Sequence, residues 1–406
     1  MNAANPTAAT TEQTASPRNS GTAALWVLIV LFVLGIASLV YGLSNENMQP
    51  DFPLFTASFL YLMGVSQAGV VFCAITRLVK AQWAKPYYRL AGFSTLAFFP
   101  FAIGGFLLIY FYAKDELFYW LLASPDAHLS PWLNIDWLLI RDLAGLLAFY
   151  ALSAIYVVKG LRPDLASSSE GNEAEHREIE GRLYLMSPLI ILMFVICNTL
   201  FAWDFAMMLI PHWHSTVFPI IFWFGNIYAG MAAMIAFPAW LGQTNKTGSP
   251  FGPNQILYLA MTVTAFTLLW LYFFWAQFFV IWFGNLPQEY GPLWRQMYGH
   301  YAPYYWAMMA GCFFIPFACL IFAWVKRSLA AMVVVALGIN LGIWLSKYLM
   351  VVPVFSPDHR PFDNWLDTSI AVGLLAGFLG VLVLLAKRYP LYSKWEMKLK
   401  PIPRLW

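Results

Sequence analysis

The chain has 406 residues, of which 61% are hydrophobic and 11% are charged, and its mean hydropathy is +0.64. Soluble domains carry roughly a quarter charged residues, so this composition excludes an ordinary soluble fold and predicts an integral membrane protein. The net charge of +3 is small and no long basic patch occurs, which argues against a nucleic-acid-binding protein.

The N-terminal segment, residues 1–21, is rich in Ala, Thr, Asn and Ser, which predicts a disordered cytoplasmic tail. The apolar run that follows it, residues 22–43, is longer than the apolar part of a usual signal peptide. No convincing small-residue cleavage site follows that run. We therefore predict that it is retained as the first membrane helix.

Ten stretches of the sequence are long and apolar enough to cross a membrane, for which a helix needs about 20 residues. These stretches are residues 22–43, 55–79, 90–112, 135–158, 183–210, 215–241, 255–283, 301–325, 329–352 and 367–386. The predicted fold is an all-α polytopic membrane domain over residues 22–390. A basic cytoplasmic tail, residues 391–406, follows it.

The distribution of Lys and Arg predicts the orientation, because cytoplasmic loops carry the excess of these residues. With the N-terminus inside, 18 of the 23 Lys and Arg residues fall on the inner side. Both termini are therefore predicted to be cytoplasmic, and an even number of spans is required.

Histidine and cysteine positions give little support for a bound metal or haem. The four cysteines lie in apolar runs and form no CxxC or CxxCH motif. The six histidines all fall in predicted loops or at helix ends, namely His128, His176, His212, His214, His300 and His359. A haem between two histidines inside the bundle is therefore not expected, and we predict no metal site and no covalently bound cofactor.

Acidic and basic residues at the outer ends of two predicted spans form the main candidate site. Asp136, Arg141 and Asp142 begin the fourth span, and Asp204 lies near the outer end of the fifth. Charged groups inside a membrane are costly unless they face a partner or a cavity. Arg141 cannot face its neighbour Asp142 on a helix, so its partner is expected on another segment, with Asp204 or Asp367 available. These groups either move protons or fix helix ends at the interface.

His212 and His214 flank a tryptophan just after the fifth span, in PHWHS. Because histidine titrates near neutral pH, the pair is a candidate for proton release at the outer surface or for binding a quinone oxygen. The alternative is that both are interfacial residues without chemistry.

The inner half of the predicted bundle looks poor in ionisable groups, with no Asp, Glu or Lys expected deep on that side. A water path from the inner side would have to run through Ser94, Ser187 and Asn226, which otherwise serve as packing contacts between helices. Lys347 lies near an outer helix end and is expected to extend its ammonium group to water.

Three stretches of the sequence resemble a known family of membrane subunits. They are WDFAMMLIPHWHSTVF, LYFFWAQFFVIWFGNLPQE and YGHYAPYYW. They are similar to the smaller of the two NrfD-like subunits of alternative complex III, the ActF type, and the resemblance covers roughly residues 50–390. It implies a ten-helix fold of the polysulfide-reductase NrfD type. Two four-helix bundles, about 55–210 and about 215–352, would be accompanied by one flanking helix at each end.

The resemblance also implies a function in a bacterial inner membrane. Such complexes pass electrons from a quinol to periplasmic multihaem cytochrome c and iron–sulfur subunits, beside a second NrfD-like membrane subunit. The haem and clusters belong to those partners, and a quinone is a possible ligand here. The smaller membrane subunit is the candidate proton conductor. At the level of the motif, its polar positions correspond to Arg141, Asp142, Asp204, His212 and His214.

Two other functions stay open on the sequence alone. A secondary transporter would suit ten helices with inverted repeats, although the two halves lack matching Gly/Pro-broken helices and a charged midplane pair. A passive membrane anchor for periplasmic redox subunits would leave the acidic residues without a chemical role.

Overall fold

The computed structural model describes residues 18–45, 48–122, 130–165, 173–211, 213–244, 249–285 and 287–399. All regular elements in these ranges are helical. The ten long apolar helices are α1 (Arg18–Ser44), α2 (Phe52–Leu78), α3 (Gln82–Leu117), α4 (Ile135–Leu165), α5 (Glu173–Met207), α6 (Phe218–Trp240), α7 (Pro253–Gly284), α8 (Gly299–Leu320), α9 (Leu329–Phe355) and α10 (Trp365–Arg388). The predicted all-helical polytopic fold with ten spans is confirmed.

Three of the long helices contain turns of another pitch. α3 begins with the tight turn Gln82–Tyr87 and widens into a π-helical turn at Ile109–Ala113. α5 ends in a second π-helical turn, Trp203–Met207, and α8 contains a third, Ala310–Phe314. Shorter helices cover Tyr119–Leu122, Pro287–Met297, Ala323–Arg327 and Lys394–Lys398.

Polar side chains mark where three of the long helices begin. Asp51 accepts a hydrogen bond from the N–H of Leu54, at 2.9 Å, and thereby caps α2. Asn364 caps α10 and Ser328 caps α9 in the same way, at 3.1 and 3.4 Å. These side chains satisfy backbone donors that have no partner in the first helical turn.

The helices form two bundles and a flanking pair. Bundle one contains α2–α5, and bundle two contains α6–α9. α2 and α6 pack against each other at the centre of the molecule. In the apolar 18-residue stretch of each helix, 89% and 78% of the residues are buried, compared with 11% in α1. α1 packs on α10, which packs on α3, so the flanking helices lie together beside bundle one.

The two ends of the helices define two faces of the molecule. The terminal face carries Arg77, Asp164, Glu180 and the end of the described chain at Leu399. The distal face carries the link between the segments before α2 and before α10. There, His359 Nε2 lies 2.7 Å from Asp51 Oδ2, and the N–H of Asp51 donates to Asp367 at 2.9 Å.

α2 and α3 cross so closely that a side chain of α3 forms hydrogen bonds with the backbone of α2. The hydroxyl of Thr95 accepts from the N–H of Val70 at 2.9 Å and donates to the carbonyl of Ser66 at 2.6 Å. It therefore bridges a donor and an acceptor that are one turn apart in α2. Gly69 allows this crossing, because a Cβ there would overlap the carbonyl oxygen of Ala91.

Candidate functional site in bundle one

Arg141 and Asp204 form a two-pronged ion pair between α4 and α5. Nε of Arg141 lies 2.8 Å from Oδ2 of Asp204, and Nη2 lies 2.5 Å from Oδ1. Both side chains are buried, and Asp204 is only 1% exposed. The sequence left Asp204 and Asp367 as candidate partners of Arg141, and in the structure the partner is Asp204. Parallel contacts of this kind fix both partners in orientation as well as in charge.

Trp132, in the segment before α4, covers this ion pair from the distal face. Its indole Nε1 donates to Oδ1 of Asp204 at 2.9 Å, and its carbonyl accepts from Nη1 of Arg141 at 2.8 Å. The guanidinium carbon lies 4.1 Å from the centroid of the indole ring, in a cation–π contact. Sequence reasoning did not assign Trp132 to the site.

Asp142 lies beside the ion pair with its charge uncompensated by any hydrogen bond. Its side chain is 0% exposed, and neither carboxylate oxygen accepts a hydrogen bond from an N–H or O–H donor in the described part of the chain, so its polar neighbour is the carboxyl group of Asp204. It interacts electrostatically with both Asp204 and Arg141. Trp132, Arg141, Asp142 and Asp204 are called the acid–arginine cluster below. At 1.5 Å per residue, Asp142 is about 10 Å from the distal start of α4.

A line of three amides continues from this cluster into the middle of the molecule. Asn226 (α6) donates to Asn198 (α5) at 2.7 Å, and Asn198 donates to Gln67 (α2) at 2.7 Å. Gln67 in turn points its amide nitrogen at the thiol of Cys197, at 3.9 Å, and that thiol interacts electrostatically with Asp142. We call Gln67, Asn198 and Asn226 the amide chain. It joins bundle one to bundle two.

The other sequence-predicted site residues lie outside the cluster. Asp136 is exposed in the first turn of α4. His214 is 82% exposed, with Nε2 3.9 Å from a carboxylate oxygen of Glu289. His212 lies outside the described residues. The structure therefore does not bring Asp136 or His214 to the buried acids.

The three weaker path candidates are all buried but do not form one line. Ser94 donates to the carbonyl of Ala91 in its own helix, at 2.7 Å. Ser187 lies 3.4 Å from the hydroxyl of Tyr156, toward the terminal face. Asn226 belongs to the amide chain. The three residues occupy three separate hydrogen-bonded groups in the described chain.

Charged side chains are also buried at the terminal face, at helix ends and after α10, namely Lys85, Asp164 and Glu396. The expectation for Lys347 is wrong. Lys347 does not reach water, because it is 1% exposed and donates from Nζ to the carbonyl of Phe222 at 3.0 Å. Its Nζ also lies 3.1 Å from the centroid of the Phe222 ring.

Replacing Lys347 with methionine is expected to stabilise the protein by about 1–2 kcal/mol, because a buried ammonium without a carboxylate partner opposes folding. Thermal unfolding of the purified protein in lipid nanodiscs measures this change. Lys387→Met, at an exposed position near the end of α10, is the matched control and is expected to change little. A lower melting temperature for Lys347→Met would contradict the prediction.

No group of three or more His, Cys, Asp or Glu side chains in the described ranges is placed to hold a metal ion. Two carboxylates and one guanidinium in a buried setting can hold, accept and give up a proton.

The sequence matches the family model described as polysulphide reductase, NrfD, over residues 42–356. The chain belongs to the NrfD family. No curated protein matches the sequence. As an NrfD-family protein, the chain is a multi-pass membrane subunit of a redox complex. The matched region contains both bundles, the acid–arginine cluster and the amide chain. It ends before α10 and the C-terminal segment that follows α10.

Proposed function

We propose that this NrfD-family chain is the proton-conducting subunit of a quinol-oxidising complex of the alternative complex III type, in a bacterial inner membrane. Family membership supports a redox complex. The three motifs that resemble the ActF type favour the smaller membrane subunit. Its partners would be a second NrfD-like subunit and periplasmic multihaem cytochrome c and iron–sulfur subunits, which would carry the electrons. A quinol pocket would lie at or near this subunit.

The observation that carries the proposal is the uncompensated carboxylate of Asp142. With both acids ionised, the acid–arginine cluster holds two negative charges and one positive charge, all buried. An excess charge in such a place is costly, and one bound proton removes it. Asp142 would carry that proton, since Asp204 is already occupied by Arg141 and Trp132.

The surroundings of Asp142 give a proton two directions. Toward the distal face lie Asp204 and the indole of Trp132. Toward the membrane centre lie Cys197 and the amide chain. Amides do not titrate, so they would act by orienting water molecules rather than by holding the excess proton. Release at the distal face, predicted to be periplasmic, is therefore the shorter step.

Asp142→Asn in the purified complex is expected to lower proton translocation about tenfold or more, because the amide cannot take up a proton. The complex would be reconstituted into liposomes and driven with a quinol and an electron acceptor. The number of protons moved per electron is the measurement. Subunit composition on a native gel shows that the complex remains assembled.

Asp136→Asn is the matched control, since this acid lies on the same helix but is exposed. It is expected to leave the ratio of protons to electrons unchanged. An unchanged ratio in Asp142→Asn would leave only an anchoring role for the subunit. If the protein purifies alone, without haem and iron–sulfur partners, the assignment to such a complex is wrong and a transporter becomes the better reading.

A further inference from the structure

The terminal face of bundle one contains a second buried charge cluster, built around Arg77 at the end of α2. Its guanidinium binds Glu180 of α5 on one side. On the other side, Nη2 lies 2.7 Å from Oε1 of Glu396, and both of these side chains are only 2% exposed. Nε of Arg77 donates to the hydroxyl of Tyr156 at 2.9 Å.

Glu396 comes from a segment after the last membrane helix that is fixed onto this face. Lys85 Nζ donates to the carbonyl of Leu399 at 3.0 Å, and the indole of Trp395 donates to the carbonyl of Gly160 at 3.0 Å. The N–H of Lys394 donates to Asp164, at 3.2 Å. The segment Ser393–Leu399 is thus part of the folded bundle, although it lies outside the family match at 42–356.

One oxygen of Glu396 has no hydrogen-bond partner among the described residues. Oε1 binds Arg77, but Oε2 is buried without a hydrogen bond in the described chain. Asp142 shows the same feature at the opposite face. The titratable groups that interact with Glu396 are Cys73, Arg77, Lys85 and Glu180. Of the two acids on Arg77, Glu180 is the more exposed, at 21%, and so lies nearer to water.

The contacts of Arg77 also lead into the bundle. Glu396 and Tyr156 bind the same guanidinium, so the carboxylate lies beside the hydroxyl. Tyr156 then lies 3.4 Å from Ser187, which was among the predicted path residues. Glu180, Glu396 and Tyr156 thus share one guanidinium, Glu180 is the most exposed of the three, and Ser187 lies next to Tyr156.

We propose that Glu396 is the proton-exchange group of bundle one at the terminal face, and that the C-terminal segment is therefore part of the conducting machinery. This inference rests on the proposed proton-conducting function. A proton that enters past Glu180 would bind Oε2 and neutralise the carboxylate while Oε1 stays near Arg77. The same proton would leave toward Tyr156 and Ser187.

The test compares Glu396→Gln with Glu178→Gln in the reconstituted complex. Glu178 is exposed on α5 two residues before Glu180, so it matches the change in charge without touching the cluster. Glu396→Gln is expected to slow proton uptake at the terminal face about tenfold or more, and Glu178→Gln is expected to have no effect. Azide, a small weak acid, is expected to restore uptake in Glu396→Gln, which a purely structural role would not allow.

A second measurement uses the unaltered complex, so it holds even where Glu396→Gln does not assemble. A hydrophobic carbodiimide reacts with protonated carboxyl groups in apolar surroundings. It is expected to label Glu396, as read by peptide mass spectrometry, and to stop proton uptake. Absence of label on Glu396, or normal uptake in an assembled Glu396→Gln complex, overturns the inference. If Asp142→Asn still abolishes translocation in that case, the proposed function stands without Glu396. If neither variant changes translocation, both proposals fall.

Discussion

Arg141→Ala is expected to destabilise the protein by about 3–5 kcal/mol, since it leaves two buried carboxylates without a counter-charge. Asp204 would lose both prongs of its ion pair, and Trp132 would lose a cation–π partner. Thermal unfolding in nanodiscs measures the loss, and loss of the subunit from the purified complex is expected to accompany it.

A double variant distinguishes the contribution of the buried charges to stability from that of side-chain packing. Arg141→Leu combined with Asp204→Leu is expected to recover most of the stability, because replacing both members of a buried pair by apolar side chains is often close to neutral. Arg182→Ala is the exposed control. Its pair with Glu178 lies on the surface of α5, where such a contact contributes less than about 1 kcal/mol. Equal melting temperatures for Arg141→Ala and Arg182→Ala would contradict the prediction.

Gly69→Ala is expected to cost about 3 kcal/mol, at the upper end for overpacking, because the new methyl group meets backbone rather than a flexible side chain. The methyl group would overlap the carbonyl oxygen of Ala91 and the hydroxyl of Ser94. α2 and α3 would separate, and the Thr95 hydroxyl would leave its place between Ser66 and Val70.

Gly104→Ala supplies the matched control, since a Cβ at this position of α3 meets nothing within 4 Å. Alanine favours a helix over glycine by up to about 1 kcal/mol, so this variant is expected to be neutral or slightly more stable. The melting temperatures of the two purified variants decide the matter. A Gly69→Ala protein as stable as Gly104→Ala would show that the crossing can relax.

The membrane spans could be predicted because their signal is local. A run of about 20 apolar residues specifies a spanning helix whatever its neighbours are. The ends of the spans were predicted less accurately. α3, for example, covers Gln82–Leu117 rather than the predicted 90–112. The additional turns at the two ends of α3 contain the charged residues Lys85, Lys114 and Glu116. These charges lower the average hydropathy there, so the hydropathy pattern does not show that the helix continues.

The acid–arginine cluster could be predicted only in part. Intramembrane charges stand out in the sequence, and the rule that adjacent helical residues diverge correctly sent Arg141 to another segment. Asp136 was assigned to the same site as Asp142 because both residues are acidic and they lie close together in the sequence. Six residues at 3.6 per turn place the two about 120° apart on the helix, which is consistent with one being exposed and the other buried. Trp132 could not be found, because its contact depends on how the segment before α4 folds back.

The buried acid at the terminal face did carry a local signal. The letters SKWE, from Ser393 to Glu396, have the spacing of a helix-starting capping box, and the hydroxyl of Ser393 does accept from the N–H of Glu396 at 3.3 Å. That pattern predicts a short helix after α10. It does not predict that the helix docks, since the partners Arg77 and Lys85 lie more than 300 residues earlier in the chain.

The long separation between Arg77 and Glu396 also has a consequence for biosynthesis. Arg77 leaves the ribosome 319 residues before Glu396, which at 5–20 residues per second is roughly 15–65 s. Bundle one is thus inserted early, but its contact with Glu396 can form only after all ten membrane helices have been made. A nascent chain that stalls before Glu396 would leave Arg77 with only one of its two acid partners and Lys85 without the carbonyl of Leu399, on a face open to the proteases that survey newly inserted membrane proteins.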